Sequence, residues 1–314
     1  MNSLNTLHDG VNSSSMKLLV WNVRGAGGRD FMNVLKEHLR VHKPHVLALL
    51  KTHVSGTRAD TVCEHIGLQG HFRMEAQGFQ GRIWIFWDTS KVRLSVVQVH
   101  MQFVTMKVVK GRDRAWFFTT VYASPYNHLR ADLWEELQRF GHELRAPWLL
   151  ARDFNETVSL EERDHRGPKI AQMCAWFKYR VQNNGLTDLG FSGPQYTWMR
   201  GNSVSTLKRA RLDKALCNAE WRGRFQEGTV QHLMQSQSDH LSLLISTNGF
   251  TTLRGLPCGL PRAHATSVVN TSPFAFGLMK AQDMGSFARN SAENRYHKRT
   301  TFSPTAVQAK KGTG

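Results

Sequence analysis

Apolar residues recur along this chain in short runs, and their spacing alternates between strand-like and helix-like. "KLLVWNV" (17–23), "HVLALL" (45–50), "GRIWIFWD" (81–88), "VRLSVV" (92–97), "FVTMKVV" (103–109), "RAWFFTTVY" (114–122) and "WLLARDFN" (148–155) read as strands. So do "QYTWMR" (195–200), "KRARLDKAL" (208–216) and "LSLLIS" (241–246). Three stretches have helical spacing instead. One carries Phe31, Val34, Leu35 and Leu39, and a second carries Leu129, Leu133, Leu137, Phe140 and Leu144. The third has Met173, Trp176, Phe177 and Val181 and stops at Asn183-Asn184-Gly185, a good helix C-terminus. Unbroken runs such as 46–50 and 148–150 fit strands covered on both faces. The pattern predicts an α/β protein of two packed sheets flanked by helices, one domain over 16–247. Residues 1–15 and 248–314 lack periodic apolar positions and read as a disordered N-terminus and a basic, disordered tail or linker.

Composition narrows the class. The chain of 314 residues has 41 Lys and Arg against 24 Asp and Glu, a formal charge of +17. The tail from 251 contributes +7 and the first fifteen residues −1, which leaves +11 on 16–250. A folded body that basic points to a polyanion partner, nucleic acid first. Four cysteines, Cys63, Cys174, Cys217 and Cys258, show no paired zinc spacing and no disulfide framework. No run reaches the ~18 apolar residues of a membrane span. The N-terminus has no basic head or apolar segment of a secretory leader. The expectation is an intracellular monomer, nuclear or cytoplasmic, with no membrane partner and no small-molecule cofactor. "RYHKRT" in the tail is a weak nuclear signal.

Candidate chemistry lies where the buried runs stop. They end at Asn22, at Lys51-Thr52-His53, at Tyr122, and at Arg152-Asp153-Phe154-Asn155, while Ser238-Asp239-His240 precedes the last run. Taken singly, each has a bland explanation. Asn22 suits a turn, and Asp153 with Asn155 suits a helix cap and an Asx turn. Polar residues at five strand ends together form the usual material of a site on loops held by a rigid scaffold.

In their order, "WNVRG", "LLKTHVSG", "VYASP", "ARDFN", "YTW", "RLDKAL" and "SDH" resemble the endonuclease/exonuclease/phosphatase superfamily. They resemble in particular the apurinic-type endonuclease domain of plant non-LTR (LINE-type) retrotransposons. The likeness covers about residues 16–247, and "SPFAFGLMK" in the tail looks like an eroded link to a reverse transcriptase. The resemblance implies a four-layer α/β/β/α sandwich that hydrolyses phosphodiesters and nicks DNA with Mg²⁺ or Mn²⁺. Asn22 and Asn155 would bind phosphate or metal-shell water, Asp153 would orient or deprotonate the attacking water, and Tyr122 would hold the phosphate. Asp239 would be a metal-side carboxylate. His240 would face the scissile phosphate, with Asp213 fixing its tautomer. Thr197, Trp198 and Arg211 would contact nucleic acid.

Two positions depart from the family pattern. Lys51 stands where the family has the Glu that anchors the metal, and Arg152 replaces the Gly before the aspartate of "GDFN". Two unit charges about 4 Å apart interact by ~4 kcal/mol at an effective dielectric of about 20, and a divalent ion doubles the repulsion. Metal binding is therefore expected to be weak or lost, with Lys51 pairing with Asp153 and Asp239 in the ion's place. Three readings follow: an impaired or inactive endonuclease, a catalytically dead nucleic-acid-binding module, and a decayed retroelement fragment.

Overall fold

In a computed structural model, residues 15–74, 83–201, 203, 205–234 and 238–250 are described here. All of them belong to one compact unit that ends at Thr252. The tail from 251, "SPFAFGLMK" included, and the first fourteen residues lie outside the described residues.

The chain runs β1 (Lys17–Asn22), α1 (Arg29–His42), β2 (Val46–Leu50), α2 (Gly56–Ile66), β3 (Gly70–Met74), β4 (Ile83–Trp87), β5 (Arg93–His100), β6 (Phe103–Val109) and β7 (Trp116–Tyr122). It continues through α3 (Asn127–Glu143), β8 (Trp148–Asp153), α4 (Pro168–Asn183), β9 (Thr187–Asp188), β10 (Trp198–Arg200) and β11 (Lys208–Ala210). The last elements are β12 (Asp213–Cys217), α5 (Ala219–Arg224), β13 (Thr229–His232) and β14 (Leu243–Ser246). One six-stranded sheet has the order β13-β14-β1-β2-β4-β3, the other β5-β6-β7-β8-β12-β9, and β10-β11 form a separate hairpin.

Side-chain alternation sorts these strands into layers. Leu18, Val20, Ala48, Leu50 and Ile85 of the first sheet pack face to face with Val104, Met106, Phe118, Leu149, Ala151 and Ala215 of the second. On the first sheet's other face, Leu19, Trp21, Leu47 and Trp84 receive Phe31 and Leu35 of α1 and Ala59 and Val62 of α2. On the second sheet's outer face, Val121, Leu150 and Leu216 receive Leu133 and Trp134 of α3 and Phe177 and Val181 of α4. The result is the four-layer α/β/β/α sandwich, with apolar surface removed from water on both faces of both sheets, as the unbroken runs require.

Several elements differ from the sequence reading: α2, β3, β9, α5 and β13 fall on none of the runs singled out there. The run 208–216 is two strands, because the chain leaves the hairpin after Ala210 and joins β8 from Asp213. The crossing is fixed by Thr197 Oγ1, which accepts hydrogen bonds from the backbone N–H groups of Leu212 and Asp213. Helix α2 carries its buried face on Ala59, Val62, Cys63 and Ile66, small or β-branched residues that make a weak periodic signal.

Candidate functional site

The strand pairings decide which ends meet. β1 and β2 run parallel with Asn22 beside Leu50, so Lys51 follows directly at the same edge. β7 and β8 also run parallel, with Tyr122 beside Asp153. β12 returns antiparallel and sets Asp213 opposite Asp153. Asn22 continues the inward series Leu18, Val20, and Asp153 continues Leu149, Ala151, so both enter the gap between the sheets.

Asp153 is the hub of that gap. Its Oδ2 accepts a hydrogen bond from Asn22 Nδ2 at 3.0 Å, a contact that bridges the two sheets. Lys51 Nζ lies 3.8 Å and His240 Nε2 3.7 Å from the same oxygen. The other oxygen accepts from the backbone N–H of Asn155, whose side chain donates to Ala123 O. Burial is the largest influence on Asp153 and pushes its carboxyl upward, with Asp213 adding to the rise while His240, Lys51 and Arg152 oppose it. Lys51 also lies 5.0 Å from the centre of the Tyr122 ring, a cation–π contact.

Behind His240, Asp213 Oδ2 meets Nδ1 at 2.8 Å, which leaves Nε2 facing the gap. Burial would raise the Asp213 carboxyl, but Arg152 and His240 outweigh it and hold it well below the usual carboxylate range. Arg152 is fully buried at φ +122°, a backbone region that favours glycine. Its guanidinium crosses between the sheets, donating to Val20 O and Leu241 O, with Nε 3.2 Å from Asp213 Oδ1. The second cation expected beside Asp153 thus belongs chiefly to Asp213.

Asp239 is held from the side. Trp198 Nε1 donates to its Oδ2 at 3.3 Å, and Arg24 NH1 lies 3.3 Å from the same oxygen. Of the two carboxylates expected to receive Lys51, the contact is to Asp153, while Arg24 serves Asp239. Arg24 was missed from sequence; its only signal was its place inside "WNVRG". Ser238 donates to Asn22 O and accepts from His240 N–H, tying the "SDH" turn to β1. Thr197 is fully buried and occupied by backbone. Arg211, expected to contact nucleic acid, is also buried, paired with Glu162 and Asp188 and lying over Phe191.

Known structures share this arrangement of layers. The chain superposes on the endonuclease domain of TRAS1, a telomere-specific non-LTR retrotransposon, with TM-score 0.55 and 16% identity over 73% of this chain and 97% of that one. The AP endonuclease LMAP from Leishmania major gives 0.56 and 16% over 74% and 87%. An endonuclease/exonuclease/phosphatase family protein from Bacteroides thetaiotaomicron gives 0.52 and 13% over 74% and 97%. The chain has the endonuclease/exonuclease/phosphatase fold. No protein-family model and no curated protein sequence matches it.

The endonuclease/exonuclease/phosphatase resemblance implies a divalent cation, and the residues present can be tested against one. In donor atoms alone a metal could be held: Asp153, Asp213 and His240 bring ligand atoms within 4.8 Å of one another. Asn22 Oδ1 and Asp239 Oδ1 are buried oxygens that accept no hydrogen bond from the described residues. In charge the set does not fit. Lys51, Arg152 and Arg24 already stand against Asp153, Asp213 and Asp239, one cation for each carboxylate. A divalent ion would enter a balanced site and meet an ammonium near the position where an anchoring carboxylate is needed.

Proposed function

We propose that this is an endonuclease domain of the non-LTR retrotransposon type that binds DNA and has lost metal-dependent cleavage. The observation that carries the reading is the Lys51 ammonium 3.8 Å from Asp153 Oδ2. Lys51 neutralises the buried carboxylate as a metal would, yet it can neither ligate an attacking water nor lower its pKa. Its side chain is 23% exposed, enough to meet a phosphate oxygen entering beside Asn22, Tyr122 and His240. Next to the site, Trp198 pairs with His240 and opens the β10–β11 hairpin, whose Arg200 and Lys208 are exposed. These cations supply the sequence-independent phosphate attraction that dominates nucleic-acid binding.

The test combines retention of duplex DNA with nicking of supercoiled plasmid in Mg²⁺ and in Mn²⁺. Binding that falls steeply as salt rises, with no nicking, is the expected result. A second reading, residual nicking, is favoured by the unpartnered Asp239 Oδ1 and Asn22 Oδ1. It predicts metal-dependent nicking that disappears in His240→Ala, and that result would overturn the loss of cleavage. No binding even at low salt would leave a decayed element fragment as the reading.

A further inference from the structure

Helix α4 presents an outward stripe that the strand-end site does not use. Lys169, Gln172, Trp176, Tyr179 and Asn183 recur at intervals of three and four residues, and all five are exposed. The opposite face is the buried one: Cys174, Phe177 and Val181 pack into the outer layer, and Cys174 Sγ meets Thr157 Oγ1 on the segment that follows Asn155. Trp176 and Tyr179 are 45% and 55% exposed. Their rings meet edge to face at 6.1 Å, an arrangement that covers at most one face of one ring while both residues stay exposed. The helix contains no acid. Its charges are Lys169, Lys178 and Arg180, of which Arg180 turns toward Glu156, and the exposed Arg166 precedes it.

We propose that this stripe is a stacking platform for single-stranded nucleic acid. Exposed ring faces flanked by cations match unpaired bases on a charged backbone, whereas a duplex keeps its base faces stacked and hidden. A partner helix is a poorer occupant. Three of the five stripe positions are Lys, Gln and Asn, where a helix seam requires apolar residues. The platform is independent of the reading of the strand-end site, because it uses none of that site's residues.

The experiment is a titration of the full chain into labelled oligo(dT), oligo(U) and a DNA duplex, read by fluorescence anisotropy. Trp176→Ala and Tyr179→Ala should each lower single-strand affinity about tenfold, with Trp176→Phe retaining most of it. Duplex affinity should move less than about twofold, and Lys169→Ala should reduce the salt slope for the single strands by about one. A preference for oligo(dT) or oligo(U) would identify which strand the platform takes. Single-strand affinity unchanged in the double alanine variant overturns the proposal. So does an equal loss for duplex, or self-association of the native chain that Trp176→Ala abolishes.

Discussion

Lys51 Nζ stands 3.8 Å from Asp153 Oδ2, over the ring of Tyr122, so this buried carboxylate already has its counter-ion. Lys51→Glu should make stability depend on metal. A carboxylate placed beside buried Asp153 raises the local negative charge, and a divalent ion then offsets it. Ligand at about a hundred times its dissociation constant adds about 2.7 kcal/mol, a rise of roughly 5–10 °C in Tm for a domain of this size. Thermal unfolding with and without Mg²⁺ or Mn²⁺ checks this. The native Tm should not respond, and a response there would defeat the charge argument.

Arg152 carries two opposed effects. Its φ of +122° costs on the order of 1–3 kcal/mol for a non-glycine residue. Its guanidinium serves Val20 O, Leu241 O and Asp213, and breaking such a buried pair costs about 3–5 kcal/mol. Losing those contacts outweighs the relieved backbone, so Arg152→Gly should destabilise. Arg152→Ala keeps the strain and loses the contacts, so it should be less stable than Arg152→Gly by about 1–3 kcal/mol. Denaturant titration of the three proteins gives the order directly.

Thr197 tests whether one hydroxyl fixes the crossing into β12. Thr197→Val keeps the shape but strands two buried N–H groups, those of Leu212 and Asp213, each worth about 1–3 kcal/mol when unpaired. Thr197→Ser should be nearly neutral. Equal stability of the valine variant and the native chain in urea would remove the hydroxyl's role.

His232 should give stability a pH slope. Burial pushes its pKa down from 6.5 to about 4; the Pro194 carbonyl and Asp213 resist, while Arg211 and Arg152 add to the fall. Between those values the unfolded chain binds a proton that the native state does not, so stability rises from pH 4 to 6.5 and is lost on acidification through that window. The amount is on the order of 3 kcal/mol. His232→Phe, which can keep the stack on Phe191, should reduce the slope and leave the part contributed by His45, which burial also pushes down to about 4. An unchanged slope would assign it to other groups.

Much of this protein was legible beforehand because buried strands and amphipathic helices write their burial into residue spacing. Val46–Leu50 and Leu149–Leu150 read as covered strands and are fully buried. The run 208–216 hid a change of sheet: burial is unbroken from Ala210 through Arg211 and Leu212 into β12, while the hydrogen-bond partners switch. Arg211 in "RLDKAL" was expected to contact nucleic acid, and only folding brings Glu162 and Asp188, 49 and 23 residues away in the chain, to pair with it.

By itself, then, the sequence determined two packed sheets flanked by helices and the strand ends that carry Asn22, Tyr122, Asp153 and His240, since hydrophobic period is a local property, while the order of the motifs added Asp213 by resemblance. Which cation serves which carboxylate was decided by the tertiary structure alone. Packing of one sheet on the other sets Asp153 against Asn22 and Lys51, and Arg152, on a glycine-like backbone, reaches Asp213 with its guanidinium. Coulomb pairing depends on distances of a few ångströms between residues a hundred positions apart, and those distances exist only once the two sheets have packed.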